Sequence, residues 1–228
     1  MVRRSRTRML SLAAALTAAL APAGIGCQSQ PSANTLRFRG DLALEQKKFF
    51  EAVEWYEQYL RRRPGDGQAR YSLGRAYLNL DQPSRAREQF IQGLELGATE
   101  GLFIDGIAET LVETGQRDEL FRLLRRTAEQ ERNAENYIRF GRFAALVGDA
   151  DTAEEAFLTA ARADQGRTIE PQLALADFYA SVNDTAQELE RLRMALWVDP
   201  EHPDVQARII GLGEVPGPAF VLQPAERR

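Results

Sequence analysis

Two residue types that can carry out chemistry occur once each among the 228 residues, as Cys27 and His202. A thiolate can attack a substrate or bind a metal, and an imidazole can act as a general base or as a metal ligand. One cysteine cannot form an intrachain disulfide, and one cysteine with one histidine is too few for a tetrahedral zinc site. A serine nucleophile would have to use His202 with Ser72, Ser84 or Ser181, and the repeat pattern described below explains all three serines as helix or turn residues.

The other candidates for chemistry also have a structural explanation. The glutamate pairs within 154–155 and 188–190 are spaced as neighbours on helix faces, where solvated carboxylates are the ordinary case. The glycine pair at 211 and 213 is shorter than the motif of a phosphate-binding loop and does not follow a strand pattern. We therefore predict that the chain is not an enzyme and that it has no metal, no cofactor and no small-molecule substrate.

The charge balance argues against a nucleic-acid partner. The sequence has 29 Lys and Arg against 33 Asp and Glu, and four of the arginines lie within residues 1–26, which contain no acids. Without that segment, 25 basic side chains (29 minus 4) stand against 33 acidic ones, and the net charge is −8. A protein that neutralises phosphates needs a basic face, so we expect no nucleic acid to bind.

Residues 1–26 have the features of an export signal. The basic stretch MVRRSRTR precedes 15 mostly small and apolar residues at 9–23. That length is short of the roughly 20 residues that a permanent membrane-spanning helix needs. We predict a signal peptide over 1–26, outside the folded domain. A twin-arginine signal is a second interpretation of Arg3 and Arg4, but the hydrophobic pair expected after them is missing.

Two processing sites compete at the end of this signal. The sequence Ala21-Pro22-Ala23 fits ordinary signal peptidase, which would leave a soluble exported protein with a free thiol. The sequence Gly24-Ile25-Gly26-Cys27 resembles a bacterial lipobox, although Gly24 replaces the usual leucine. The position of Cys27 after the apolar stretch, and the polar spacer at 27–32, favour a lipidated cysteine that anchors the chain to a membrane. By resemblance to proteobacterial lipoproteins, the following Gln28 favours the outer membrane over the inner one.

The rest of the chain repeats with a period of 34 residues. Gly40 recurs as Gly74, and further along the same units Ala52 recurs as Ala86 and Tyr56 as Phe90. This period and this order of small and aromatic residues resemble the tetratricopeptide repeat. The resemblance implies an all-α fold, a right-handed α-solenoid of about five helix-turn-helix repeats. We place the solenoid at 33–202, with approximate repeats at 33–66, 67–100, 101–133, 134–167 and 169–202.

Later repeats depart from the pattern, since Leu120 and Glu188 stand where alanine is expected. We predict that Asp151 and Glu154 form a capping box at the start of a helix. Residues 203–212 are predicted to form a capping helix, and the proline-rich residues 213–228 an extended tail. That tail either folds back over the last helices, which we favour, or serves as a docking peptide for a partner.

The family resemblance also implies a binding groove. The first helix of each repeat faces a concave side, where positions 2, 5, 9, 12 and 13 of each repeat meet the ligand. From these positions we select ten candidate partner-binding residues: Arg37, Asp41, Tyr71, Arg75, Asn79, Asp105, Glu109, Glu113, Arg142 and Asp177. The acids in the middle of the groove predict a partner segment with basic and apolar residues. The alternative is that this face is merely solvated.

Three functions fit these observations. The leading interpretation is a non-catalytic protein-interaction scaffold, a lipoprotein of the bacterial cell envelope that faces the periplasm and recruits or assembles partner proteins. The second is a soluble exported adaptor or chaperone-like binder. The third is a regulatory docking subunit of an enzyme complex, to which this chain would contribute no chemistry.

Overall fold

The structure is a computed structural model, and it describes residues 30–97 and 100–227. The described residues from Ser32 onwards form one compact unit. The described residues contain eleven α-helices and a short 3₁₀ turn at Ala225–Arg227, and they contain no strand. The α-helices are α1 (Ala33–Glu45), α2 (Phe49–Arg62), α3 (Gly67–Leu78), α4 (Pro83–Glu95), α5 (Glu100–Glu113), α6 (Arg117–Glu131), α7 (Ala134–Leu146), α8 (Ala150–Asp164), α9 (Glu170–Ser181), α10 (Thr185–Val198) and α11 (Pro203–Gly211).

The helices pack as consecutive pairs. Each odd-numbered helix from α1 to α9 packs on the even-numbered helix that follows it, and each pair packs on the next along the chain. No single pair buries its apolar face alone, so stability comes from stacking. This arrangement confirms the predicted all-α solenoid of helix-turn-helix repeats.

The closest helix approaches depend on glycines opposite aromatic rings. A β-carbon at Gly40 would lie 2.9 Å from Tyr56 Cε1, and one at Gly141 would lie 2.6 Å from Phe157 Cε1. Both rings are buried, so larger residues at the glycine positions would push the paired helices apart. The small residues of the repeat are therefore packing residues.

Five of the helix starts in the described residues are capped by a side-chain hydrogen bond. Asp66 accepts a hydrogen bond from the backbone amide of Ala69 at 3.0 Å and caps α3. The predicted capping box at Asp151 is wrong, because α8 begins earlier and its cap is Asp149, which accepts from the amide of Thr152 at 3.0 Å. An aspartate at position 149 or at position 151 could accept hydrogen bonds from free amides at a helix start, and the sequence pattern alone does not decide between the two.

The C-terminal tail folds back over α10. The Arg193 guanidinium donates to the carbonyl oxygen of Phe220 at 2.8 Å, and the amide of Leu222 donates to the carbonyl oxygen of Arg193 at 3.1 Å. Glu226 then forms a 2.9 Å ion pair with Arg191, and both side chains are at most 10% exposed. These contacts hold the tail against the last repeat.

Two further features belong to the described part of the chain. None of its helices is both long and apolar enough to cross a membrane. Over the same residues, no cluster of His, Cys, Asp and Glu has the arrangement needed to hold a metal ion.

Candidate partner-binding groove

The ten candidate groove residues lie on the first helices of the pairs, α1, α3, α5, α7 and α9, or at the residue that ends such a helix. Five of them occupy equivalent positions, one in each repeat, and their charges alternate along the solenoid. In order they are Asp41, Arg75, Glu109, Arg142 and Asp177. The partners of these charges differ between the two ends of the groove.

In the first repeat, groove charges are bound within the protein. Arg37 donates to the Asp66 carboxylate at 2.5 Å, and Tyr59 donates to the same carboxylate at 2.6 Å. Asp41 accepts a hydrogen bond from the Tyr56 hydroxyl at 2.7 Å. Burial and this hydrogen bond to Asp41 raise the pKa of Tyr56, so the phenol stays a donor at neutral pH.

The central acids are paired too. Arg75 forms an ion pair with Glu109. The guanidinium of Arg139, which is only 7% exposed, donates to Asp105 at 2.8 Å and to Glu135 at 2.9 Å. Two of the three predicted central acids are thus neutralised by arginines of this chain.

The third central acid, Glu113, has a carboxyl pKa above its ordinary value. Partial burial raises this pKa, and the negative charges of Glu109 and Asp81 raise it further. Beside the groove charges, the side-chain amide of Asn79 donates to the carbonyl oxygen of Arg75 at 2.8 Å, at the end of its own helix. The middle of the groove is therefore less acidic than its sequence indicates.

Tyr71 contributes more to the core than to the open groove. Its ring packs on Phe90 with centroids 5.6 Å apart and on Phe103 with centroids 5.7 Å apart. Burial raises the pKa of its phenol. The ring contacts fix Tyr71 in one orientation between α3, α4 and α5.

The C-terminal half of the groove is different, because it contains an apolar pocket of about 610 Å³ between α7 and α9. Its walls are mainly aliphatic and aromatic, and most of them come from the groove positions of repeats four and five. The pocket is lined by Ile138, Arg142, Phe143, Ala145, Leu146, Phe157, Glu170, Leu173, Ala174, Asp177, Phe178 and Ser181.

Two features of this pocket leave it open to a ligand. Leu146 is 65% exposed although it is aliphatic. Among the residues that the structure describes, no hydrogen bond or ion pair reaches the side chain of Arg142 or of Glu170. An aliphatic wall with a free cation suits an amphipathic ligand.

Asp177, on the same rim, is held by the capping helix. Arg208 of α11 donates to Asp177 at 2.5 Å and to the buried Glu188 at 2.8 Å. Burial acts to lower the pKa of Arg208, but the two carboxylates outweigh it and raise that pKa. Glu188, which replaces the expected alanine, therefore joins the last repeat to α11.

Sequence reasoning missed some residues of this region. It selected Arg142 and Asp177 but neither Arg139 nor Arg208, which bind the groove acids. The approximate repeat spacing was the available signal, since Arg139 directly follows Ile138, which is the equivalent of Asp105 in the next first helix. Cys27 and the predicted signal peptide lie outside the described residues.

Comparison with protein families gives two overlapping matches, both described as "Tetratricopeptide repeat". One covers residues 43–100 and the other residues 12–67. None of the curated proteins matches the sequence.

Solved structures give the same fold at low sequence identity. TTC0263, a thermophilic TPR protein of Thermus thermophilus, is 21% identical with a TM-score of 0.51, over 79% of this chain and 98% of that one. PilW, a type IV pilus biogenesis factor, is 15% identical with a TM-score of 0.53, over 78% and 83%. MamA from Desulfovibrio magneticus RS-1 is 18% identical with a TM-score of 0.50, over 75% and 97%.

The family matches cover the first repeats, and the same stacking of helix pairs continues from α1 to α10. The equivalent small and large positions recur through that series, and in three of the five repeats they are a glycine and an aromatic ring. The chain therefore contains tetratricopeptide repeats and has the fold of that family, which serves as a protein-interaction scaffold.

Proposed function

We propose that this protein is a lipid-anchored, non-catalytic scaffold of the bacterial cell envelope that recruits partner proteins through its concave groove. The observation that carries the proposal is the apolar pocket between α7 and α9, which lies at groove positions and exposes Leu146. Monomeric soluble proteins rarely expose large contiguous apolar surface, and an apolar pocket with a few polar groups is the usual location of a binding site.

The membrane part of the proposal rests on the N-terminal sequence. Cys27 follows a basic and then an apolar stretch, and a short polar spacer separates it from α1. A lipid on Cys27 would hold the solenoid close to a membrane, because only a few residues separate Cys27 from α1. Gln28 favours the periplasmic face of the outer membrane as that membrane. Several acyl chains hold a protein more firmly than one chain does.

Metabolic labelling with palmitate tests the anchor. The wild type should incorporate label and sediment with membranes, whereas Cys27→Ala should do neither. Label-free wild-type protein in the soluble periplasmic fraction would contradict the anchor. It would support the soluble exported adaptor instead, which is favoured by the cleavage pattern at Ala21-Pro22-Ala23.

Co-purification tests the groove independently of the anchor. We expect Leu146→Asp to reduce capture of the partners that co-purify with the wild type, because a carboxylate in the pocket wall repels an apolar segment. The matched control is Phe50→Asp, which changes a similarly exposed apolar side chain (72%) on α2, away from the pocket. Equal capture by Leu146→Asp and the wild type would contradict groove binding.

The identity of the captured proteins decides between assembly roles. PilW, which has this fold, is a type IV pilus biogenesis factor. Recovery of components of one envelope machine would support an assembly role of that kind here. Recovery of an enzyme would support the docking-subunit alternative.

A further inference from the structure

The two halves of the groove differ in how many polar groups are free to bind a partner. In repeats one to three, most of the candidate groove charges are bound by other side chains of this chain, and Glu113 is the exception. Arg37 pairs with Asp66, Arg75 with Glu109, and Asp105 with Arg139. A ligand there would have to displace existing pairs, and their loss would offset much of the new contact.

Repeats four and five present the opposite situation. The pocket between α7 and α9 has an aliphatic wall at Ile138, Leu146 and Leu173, and its volume of about 610 Å³ is in the range of ligand sites. Its free cation, Arg142, lies beside this wall and is exposed. An incoming apolar side chain would gain burial without breaking a pair.

The charges around the pocket favour an acidic partner over a basic one. Asp177 is already bound to Arg208. Glu170 is the first residue of α9, where the free amides of the helix start compensate a negative charge. A positive charge is compensated in the same way at a helix end, but Arg142 lies before the last turn of α7 and has no such compensation. Arg142 is therefore the pocket charge that gains most from a partner, and the partner that suits a guanidinium is a carboxylate.

We infer that the pocket between α7 and α9 is the capture site of the groove and that it binds a protein segment carrying a bulky apolar side chain next to a carboxylate. This inference rests on the proposed scaffold function and replaces the basic partner that the sequence predicts. The apolar side chain fills the pocket against Leu146 and Leu173, and the carboxylate accepts hydrogen bonds from Arg142. A guanidinium binds a carboxylate through two parallel N–H donors, which also fixes the segment's register.

Two labelled peptides test this chemistry by fluorescence anisotropy with the full chain. Both have about 14 residues, four turns of helix, with leucine and phenylalanine at the same places, and the intervening charged residues are all glutamate in one and all lysine in the other. We expect the wild type to bind the glutamate peptide roughly tenfold more tightly, with a preference that shrinks as salt is added. Arg142→Gln should abolish the preference, and Leu146→Ser should weaken both peptides.

The matched charge control is Arg125→Gln on α6, an exposed arginine outside the pocket lining, which should leave the preference for the glutamate peptide intact. Circular dichroism of each variant should show wild-type helix content, because Arg142, Glu170 and Leu146 are exposed. A preference for the lysine peptide, lost in Glu170→Gln, would overturn the acidic assignment while leaving groove binding in place. Binding of neither peptide would also overturn it.

Co-purification tests the scaffold function separately from the acidic-partner inference. If Leu146→Asp still captures every wild-type partner, the groove function itself fails. If capture falls with Leu146→Asp but is unchanged in Arg142→Gln, the groove function stands and the carboxylate contact is wrong.

Discussion

The small residues of the first helices and the large residues of the second helices compensate each other in volume. Three repeats have glycine in the first helix and an aromatic ring 16 residues later, as in Gly74 with Phe90. The other two have alanine with leucine, Ala108 with Leu124 and Ala176 with Leu192. All of these large side chains are buried. Total side-chain volume at the helix contact is therefore kept nearly constant by paired choices.

This compensation makes Gly74 sensitive to one methyl group. We expect Gly74→Ala to lower the free energy of unfolding by about 1–3 kcal/mol, because the new β-carbon overlaps the buried ring of Phe90. Adding Phe90→Leu should restore part of the loss, since alanine with leucine is the combination found in repeats three and five. Urea unfolding of the single and double variants measures the coupling.

The control is Gly65→Ala, where a β-carbon would have no neighbour within 4 Å. It should change stability by less than about 1 kcal/mol. A Gly74→Ala variant as stable as Gly65→Ala would contradict the close approach of α3 and α4.

The turn inside each repeat needs a left-handed residue, and the chain uses four residue types for it. Gly115 and Gly148 supply it in repeats three and four, whereas Lys47, Asp81 and Asn183 adopt it elsewhere, with φ between 57° and 60°. Lysine is strained in this conformation. We expect Lys47→Gly to raise the free energy of unfolding by about 0.5–1 kcal/mol.

Urea unfolding also measures this gain, with Lys48→Gly as the neighbouring control. Lys48 has a φ of −89°, so its replacement should give no gain. Equal stabilisation by both variants would show that the lysine side chains, and not the turn geometry, are responsible.

Asp66 connects three helices. It caps α3, accepts from Tyr59 of α2 and pairs with Arg37 of α1. Burial acts to raise the pKa of Asp66, but the hydrogen bonds from Tyr59 and from the Ala69 amide, with the charge of Arg37, lower it overall. The folded protein therefore holds this carboxylate ionised at a pH where the unfolded chain begins to protonate it.

We expect Asp66→Ala to cost about 2 kcal/mol at pH 7, from the lost cap and the lost charged contacts. Because the folded pKa is the lower one, this contribution is present above the unfolded pKa of about 4 and is lost as the pH falls through the folded pKa. The difference between wild type and Asp66→Ala should shrink in urea titrations carried out from about pH 6 down to about pH 3. Asp66→Asn keeps the cap and should show about half the loss at pH 7.

A difference that stays constant with pH would contradict a charged role for Asp66. An Asp66→Asn variant as destabilised as Asp66→Ala would assign the whole effect to the charged contacts and none to the cap.

The first repeat has no preceding helix pair among the described residues. A side chain of α1 that would be covered by such a pair is therefore more exposed than its equivalents in later repeats. Leu42 is 40% exposed, whereas its equivalents in later repeats, such as Thr110 and Phe143, are buried. We expect Leu42→Ser to cost less than about 1 kcal/mol and Phe143→Ser to cost about 3 kcal/mol or more. Thermal unfolding of both variants, compared with wild type, measures the difference. Similar costs would mean that something covers Leu42 in solution.

In a solenoid, each repeat depends mainly on its neighbours, so a local change should have a local effect. The buried pair Arg191–Glu226 is a suitable place to test this. We expect Glu226→Ala to leave the Arg191 charge without its ion-pair partner, release the tail and cost up to about 3 kcal/mol. Hydrogen exchange should rise in α10 and α11 and stay unchanged in α1 to α4.

The control replaces both members of the pair, as Arg191→Met with Glu226→Leu. An apolar pair of similar volume should recover most of the protection. Faster exchange along the whole chain in Glu226→Ala would contradict the nearest-neighbour behaviour of the solenoid.

The sequence predicts the fold well because the same contacts recur. Gly40, Ala52 and Tyr56 have counterparts one period later, and a periodic pattern of small and aromatic residues allows little besides stacked helix pairs. The groove was harder to predict. Position in the repeat identifies which side chains face it, but not which of them are already paired, as Arg75 and Glu109 are.

The repeat pattern did not predict the contacts that are specific to the end of the solenoid. Glu188 looks like a defect in the fifth repeat until Arg208 of the capping helix is placed beside it. The same holds for Glu226, whose partner Arg191 lies 35 residues earlier. Such pairs depend on how the chain ends its stack, and no periodic rule describes an end.

The docked tail has a practical consequence for anyone who handles this protein. A reporter or affinity tag fused after Arg228 would lie close to Glu226 and could disturb its ion pair with Arg191. A tag before Cys27 would be lost on cleavage of the proposed signal. The linker between α11 and the docked segment is a better insertion point, because Val215 there is 81% exposed. An epitope inserted beside Val215 should remain accessible to antibody while the tail keeps its attachment to α10.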